Sequence, residues 1–340
     1  MKKIVIDCRY LGMSGIGRVL EGYLLNLDTT NYEFYFIGNS HKLSLLGIKE
    51  NVIEDNHSPV SKKGLFLPKE INQYDALFIP NFIVPFGVKI PVYTLIHDMM
   101  FYDFKETTSG IVDQLIKSFF YRRCIKKSVK IFTVSNFTKQ RIQYYFPNYK
   151  KEIVIVYNGL SKSIVNYKNK RNVIIKKNYL IFVGNIKKQK GLATLLDAFL
   201  KLYDYELYIV GNKENFRTKD KVIEKYLNNR KIHFTGKISD KEMFDLISGA
   251  KFLIQPSYYE GFGLPPLEAL FLNTKPIVSN IEVFKEIYSQ LDVTFFEVGN
   301  VDSLLETINN SCYSPVSDVI PYKYNFKNSI NIILKEIDES

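Results

Sequence analysis

The chain lacks any apolar stretch long enough to cross a bilayer. A spanning helix needs about 18 or more apolar residues, and the 340 residues contain no such run. No transmembrane helix is expected. The N-terminal run Ile4-Val5-Ile6 is also too short for a signal peptide. Cysteine is scarce. Cys8, Cys124 and Cys312 are odd in number, far apart and without metal-ligand spacing. They form neither a disulfide framework nor a metal site, and they suggest a reducing compartment. There is no short-period repeat and no low-complexity tract.

The 340 residues suggest two domains with ample core, and a hydrophobic content of 46% is ordinary for a globular protein. Strands alternate with helices, the signature of a parallel sheet covered on both faces. Expected strands in the first half are 3–8, 33–38, 76–80, 92–97, 130–134 and 153–157. Expected helices there are 16–27, 110–127 and 137–145. Strands restart at 179–183, 206–210, 231–234, 252–254, 276–278 and 294–297. Ser239 and Glu242 form a capping-box pattern at the start of one intervening helix. Ser161 to Lys177 is polar and basic without clear periodicity and reads as an interdomain linker. Two such α/β halves make a cleft, and ligands bind such sheets at the carboxyl ends of the strands.

The most informative stretch is Glu260-Gly261-Phe262-Gly263-Leu264-Pro265-Pro266-Leu267-Glu268. It follows the apolar strand 252–254 and leads into a helical segment, with Glu268 expected in the first turn. The glycines allow close approach to the backbone. The helix start offers N–H groups and a positive dipole end to an anion. A proline in the first turn costs little. A carboxylate repels phosphate but can accept two sugar hydroxyls. The spacing therefore suits a ligand with a central phosphate and hydroxyls on both sides, such as a nucleotide-sugar. The alternative is that Glu268 only complements the helix dipole while Glu260 is a solvated loop charge.

This segment resembles the E-x7-E motif of retaining glycosyltransferases of family 4, which have the GT-B fold: two Rossmann-like parallel-sheet domains facing across a cleft. Further segments resemble that family in its order. They are Ile96-His97-Asp98, Val134-Ser135-Asn136-Phe137-Thr138-Lys139, Val156-Tyr157-Asn158-Gly159 and the donor loop Val183-Gly184-Asn185-Ile186-Lys187-Lys188-Gln189-Lys190-Gly191. The resemblance spans nearly the whole chain. It implies an acceptor domain over 1–165, a linker over 166–177 and a donor domain over 178–321. A last helix within 322–340 would return to the first domain.

The resemblance also implies residue roles. Glu260 would position the transferred hexose, and Glu268 would hold the ribose. Gly184, Asn185, Gly261, Phe262, Gly263 and Leu264 would line the donor site. Lys190 would lie beside the pyrophosphate and offset charge leaving with the nucleotide. Many relatives carry an arginine where this chain has Asn185, so Lys187, Lys188 or Arg18 would supply the second cation. The base would lie near Gly211-Asn212 and Gly236-Lys237. His97 would hydrogen-bond the sugar, and Asp98 would orient His97 or bind the acceptor, on which side Arg18 is also expected. Gly15 and Gly17 belong to Gly12-Met13-Ser14-Gly15-Ile16-Gly17, whose spacing is not that of a dinucleotide fingerprint. By resemblance this loop meets donor or acceptor; otherwise it is a plain tight turn. His233, in an apolar strand, reads as a core residue, and His41 and His57 carry no signal.

Charge is uneven. Residues 1–170 hold 24 Lys and Arg against 14 Asp and Glu, a net of +10, whereas residues 171–340 net +1. The basic, aromatic segment 117–130 suggests an anionic membrane surface or a lipid-diphosphate acceptor; its alternative is a core helix with a solvated side. No nucleic-acid motif accompanies it, and no nucleic-acid partner is expected.

The implied reaction moves a hexose, with a lean to mannose, from a nucleoside-diphosphate sugar to a hydroxyl of a growing surface glycan or lipid-linked acceptor. No Asp-x-Asp occurs, so neither a metal nor another cofactor is expected. The implied location is cytoplasmic, at the inner face of the membrane. A sugar-nucleotide epimerase of the same fold and a non-catalytic nucleotide-sugar-binding partner are the alternatives.

Overall fold

The computed structural model describes residues 1–104, 110–170, 175–211, 226–312 and 320–340. The chain divides into two compact units. Unit 1 comprises Met1–Ser161 and Tyr322–Ser340, and unit 2 comprises Lys162–Pro321.

Unit 1 is built on a seven-stranded sheet. Its strands are β1 (Lys2–Asp7), β2 (Tyr32–Gly38), β3 (Val52–Glu54), β4 (Ala76–Ile79), β5 (Val92–Ile96), β6 (Ser128–Thr133) and β7 (Ile153–Ile155). All pair in parallel, in the order β3-β2-β1-β4-β5-β6-β7. Every residue of β4 and β5 is buried. This explains their continuous apolar sequences, since a strand covered on both faces does not alternate. The helices are α1 (Ser14–Leu24), α2 (Ser40–Ser44), α3 (Met100–Asp103), α4 (Ile111–Lys127) and α5 (Asn136–Tyr145).

Unit 2 repeats the principle with six strands. These are β8 (Tyr179–Val183), β9 (Glu206–Val210), β10 (Ile232–Gly236), β11 (Phe252–Gln255), β12 (Lys275–Ser279) and β13 (Thr294–Phe296), ordered β10-β9-β8-β11-β12-β13 and all parallel. Its described helices are α6 (Lys162–Asn169), α7 (Leu192–Phe199), α8 (Asp240–Gly249), α9 (Leu264–Phe271), α10 (Glu282–Tyr288) and α11 (Val301–Asn310). Leu180 and Phe182 of β8, Leu195 and Leu196 of α7, and Phe252 and Ile254 of β11 share one core. The chain then returns to unit 1 as α12 (Phe326–Asp338).

Two glycines accept that returning segment. A Cβ on Gly22 of α1 would sit 2.4 Å from the Phe326 ring, and one on Gly159 would sit 2.5 Å from the Phe326 backbone nitrogen. The Asn158-Gly159 motif thus has a steric explanation: the chain passes directly over it. The Ser135 motif is explained by capping. Its hydroxyl accepts a bond from Thr138 N–H at 3.2 Å and closes the start of α5. The Ser239–Glu242 capping box is present at α8.

Three features differ from the sequence reading. Residues 162–169, taken as linker or its approach, form α6, which packs on α8 through Tyr167 and Phe244. Too few apolar residues mark that face for periodicity to reveal it. The rest of the expected linker includes 171–174, outside the described residues. β3 and α2 were not expected, since three and five residues are too short to show a period. His233 is not a core residue. It bonds Glu206 at 3.1 Å and stacks on Tyr208 with a 4.5 Å centroid separation, on edge strand β10.

The glycine packing has a measurable consequence. Gly22→Ala should cost about 1–3 kcal/mol by overpacking against Phe326. Gly15→Ala, whose Cβ would meet nothing within 4 Å, should cost nothing or stabilise α1 by about 0.5–1 kcal/mol. Urea unfolding midpoints check both, and equal effects would refute the packing account.

Candidate active site

In unit 2 the donor-loop residues gather at the carboxyl ends of two neighbouring strands, β8 and β11. Gly184 follows β8, and Gly211, after β9, lies so close that a Cβ there would be 2.0 Å from the Gly184 oxygen. The donor loop then runs to Gly191, which has φ +65°. A Cβ on Gly191 would sit 1.8 Å from the Pro256 carbonyl oxygen. This close approach joins the loop to the one after β11. Tyr258 N–H donates to the Gln189 carbonyl at 2.8 Å, adding a backbone tie.

The tie brings together the two charged residues that the sequence singled out. Lys190 Nζ lies 2.6 and 2.8 Å from the two oxygens of Glu260. Ser257 Oγ donates to Glu260 Oε1 at 2.8 Å, and Gln255 Nε2 reaches the same oxygen at 3.5 Å. Glu260 is 9% exposed. Its carboxylate is therefore held from three directions, and its charge is compensated by a lysine that retains access to solvent. Ser257 and Gln255 were not anticipated; a serine three residues before the glutamate is the signal that could have found them.

Gly263 has φ +83° and opens α9, with its absent Cβ position 2.4 Å from the Phe284 ring. Tyr288 Oη donates to the Gly263 carbonyl. Because α9 begins at Leu264, Glu268 lies in the second turn, not the first as expected. It is buried, at 2% exposed. Pro265 and Pro266 remove two of the four N–H groups that a helix start normally presents. The helix end is a weaker anion site than its glycines suggest, which raises the importance of Lys190. Lys187 and Lys188 are exposed, whereas Asn185 is half-buried. Gly261 is half-buried and Phe262 buried in the same loop. Of the expected base-binding residues, Asn212 lies outside the described residues.

In unit 1 the candidate residues also occupy carboxyl ends of strands. Gly15, Gly17 and Arg18 follow β1, and His97 and Asp98 follow β5. A Cβ on Gly17 would lie 2.7 Å from the Tyr10 carbonyl oxygen, so Gly17 is required by the turn; Gly15 carries no such constraint. His97 Nε2 lies 2.9 Å from the Pro80 carbonyl oxygen. A carbonyl only accepts, so Nε2 carries the proton and Nδ1 is the acceptor. Burial pushes the His97 pKa down from 6.5 to about 4, outweighing the bond to Pro80. His97 is neutral near pH 7. The Pro80 carbonyl orients the ring. The Asp98 carboxylate accepts Met100 N–H at 3.0 Å.

The sequence reading missed the most buried ionic group in unit 1. Arg9 forks onto Asp7 through Nε at 2.8 Å and Nη2 at 2.7 Å. Its Nη1 donates to Asp55 at 3.1 Å and to the Gly64 carbonyl at 2.7 Å. Burial acts against the Arg9 charge, but the bond and charge of Asp7 outweigh it and hold the pKa above its ordinary value. His57, which carried no signal, bonds Asp55 at 2.8 Å. This cluster pins the loops after β1 and β3 at the sheet edge that carries Gly17. The only sequence signal was an Asp-x-Arg at a strand end.

The basic segment 117–130 is partly engaged within unit 1. Lys117 bonds Asp113 at 2.6 Å and lies over the Phe101 ring. Arg123 donates to the Val84 and Pro85 carbonyls at 2.9 and 2.7 Å. Lys130 pairs with Glu336 at 2.6 Å. Arg122, Lys126 and Lys127 remain exposed.

His97 has a pH signature. Its depressed pKa means that the unfolded chain takes up the proton first as pH falls. The stability present above pH 6.5 should therefore be lost progressively down to about pH 4. Urea unfolding of wild type and His97→Gln across that range checks it. The stability difference between them should change between pH 6.5 and 4; a constant difference would show that His97 titrates normally.

The comparisons with known proteins bear on this arrangement. Residues 164–315 match the family model described as glycosyl transferases group 1. The O-antigen chain mannosyltransferase RfbU of Salmonella typhimurium is 32% identical over 182 residues, covering 52% of this chain and 50% of RfbU. The O-antigen biosynthesis glycosyltransferase WclY of Escherichia coli is 25% identical over 240 residues, covering 69% of this chain and 66% of WclY. The chain thus spans between half and two thirds of these relatives. Among solved structures, Anabaena Alr3699/HepE in complex with UDP and glucose aligns over 100% of both chains with a TM-score of 0.72 at 14% identity. WaaG, a glycosyltransferase involved in lipopolysaccharide biosynthesis, aligns over 98% of this chain and 95% of its own with a TM-score of 0.65 at 15% identity. These likenesses establish the GT-B fold, and residues 164–315, somewhat less than half of the chain, are similar to the glycosyl transferases group 1 family.

Proposed function

We propose that the protein is a retaining, metal-independent hexosyltransferase acting on a nucleoside-diphosphate sugar. The observation that carries the reading is the Glu260 carboxylate held between Lys190 and Ser257 beside a glycine-lined strand-end loop. Lys190 takes the diphosphate, and Glu260 accepts hydroxyls of the hexose. The bond from the anomeric carbon to the diphosphate oxygen breaks, and the acceptor hydroxyl attacks from the same face. Its proton passes to the departing diphosphate. Neutral His97 offers Nδ1 as a hydrogen-bond acceptor. The absence of Asp-x-Asp supports transfer without a metal, with Lys190 and backbone N–H groups stabilising the leaving group.

Similarity to the mannosyltransferase RfbU over half its length favours mannose. The acceptor is a hydroxyl of a growing surface glycan, carried on a lipid diphosphate. That acceptor would place the enzyme at the inner face of the membrane, the location suggested by the basic segment. An epimerase needs no acceptor, so release of free nucleotide only when an acceptor is present separates the two readings.

Lys190 is shared between carboxylate and diphosphate, which gives the two substitutions opposite effects. Glu260→Gln releases the lysine, so nucleoside diphosphate should bind a few-fold more tightly while transfer falls at least about 100-fold. Lys190→Ala should weaken diphosphate binding at least about tenfold. Calorimetric titration of a nucleoside-diphosphate panel, with turnover on the cognate sugar, reads both. Near-normal turnover by folded Glu260→Gln would sink the assignment, and unchanged affinity in Lys190→Ala would remove Lys190 from the site.

A further inference from the structure

We infer that the outer face of α4, together with Phe86 and Phe66, is an apolar surface that inserts into an anionic bilayer. The inference deepens the reading of a lipid-linked acceptor by naming the surface that meets the membrane, but its physical basis is independent of the chemistry. On α4, Ile111, Val112, Leu115, Ile116 and Phe119 are 77, 70, 65, 50 and 51% exposed. They follow helical spacing along one side. The opposite side already has its core: Tyr121 and Cys124 are buried, and Tyr121 stacks on Phe82 at 3.9 Å. Folding of unit 1 therefore does not account for the exposed side.

Two separate segments extend the patch. The Phe86 ring lies 6.3 Å from Phe119, and the Phe66 ring lies 5.5 Å from Phe86. Phe66 is 62% exposed. Three aromatic rings from three parts of the chain thus continue the aliphatic face of α4. A contiguous apolar surface of this kind marks an interaction site.

Charge identifies the occupant. The exposed side of α4 continues into Arg122, Lys126 and Lys127, and exposed Lys62 and Lys63 precede Phe66. The one acidic residue of α4, Asp113, is paired with Lys117. The result is an apolar centre with a basic rim, the pattern of a helix lying in the interface of an anionic membrane. A second copy of the chain would bring this basic rim against itself. No described helix is long and apolar enough to cross a membrane, so α4 lies in the surface and does not span it.

The chain has no tryptophan, so Phe119→Trp provides a single spectroscopic reporter. Its emission should shift to the blue on phosphatidylcholine vesicles carrying roughly a third phosphatidylglycerol, and not on phosphatidylcholine alone. In co-sedimentation, Leu115→Ser/Ile116→Ser/Phe119→Ser should lose binding at least about tenfold. Arg122→Ser/Lys126→Ser/Lys127→Ser should lose about fivefold per cation at low salt. Neither triple variant should change the melting temperature. Absence of wild-type binding would overturn the inference. So would wild-type binding by the apolar variant, which would leave electrostatics alone. A wild-type dimer in sedimentation equilibrium, lost in the apolar variant and accompanied by no vesicle binding, would assign the face to a second copy instead. The vesicle assays need no donor or acceptor, so their failure is distinct from failure of the transferase reading.

Discussion

The contact between Lys190 and Glu260 depends on a backbone approach that only glycine permits. Gly191 lies against the Pro256 carbonyl with no room for a side chain, in a left-handed conformation that disfavours one anyway. That contact lets two loops from neighbouring strands of a parallel sheet share one ion pair. The sheet contributes the rest. Parallel strands bring their carboxyl ends to one edge, so residues 70 apart in sequence meet without either loop being long. Ser257 and Gln255 then fix the carboxylate, leaving the lysine as the more exposed partner. On the transferase reading, a diphosphate would draw on the more exposed lysine and leave the carboxylate in place.

The same edge logic explains the first unit. Its candidate residues lie after β1 and β5, and the Asp7–Arg9–Asp55 cluster locks the intervening loops. A buried ion pair is a weak source of net stability, but breaking one side leaves an uncompensated charge. The cluster therefore holds one loop arrangement against alternatives, and Gly17, packed on the Tyr10 carbonyl in the loop after β1, belongs to the arrangement so held.

How much of this was legible in the sequence follows from the range of each interaction. The strands were legible because strands buried on both faces write continuous apolar runs, and each expected strand lies within two residues of an observed one at either end. Glu260 and Lys190 were legible through local motifs, and the Ser239 capping box through spacing alone. Arg9 was not, because its partner Asp55 is 46 residues away and only the fold joins them. Glu268 was placed one turn early because the helix start depends on Gly263 and its contact with Phe284. Part of the basic segment was hidden in the same way: Arg123 and Lys130 are visible as charges, but their partners are carbonyls and carboxylates from other elements. The apolar outer face of α4 was equally hidden, because composition does not say which of its two apolar sides meets the core.

Charge balance sets a final requirement on the donor site. On the transferase reading, a diphosphate brings at least two negative charges next to Glu260, against the single positive charge of Lys190. The end of a helix supplies roughly half a charge at most, and Pro265 and Pro266 remove two of the donors through which α9 would deliver it. Asn185 adds none. The site as built by Lys190 and α9 is thus short of positive charge by about one unit or more. Lys187 and Lys188, exposed on the same loop, are the nearest cations in sequence. They lie within three residues of Lys190 on a loop whose far end is anchored by Gln189 and Gly191. On that reading the dense lysine run has an electrostatic rationale that a solvated loop would not require: it would supply the cation that Asn185 does not provide.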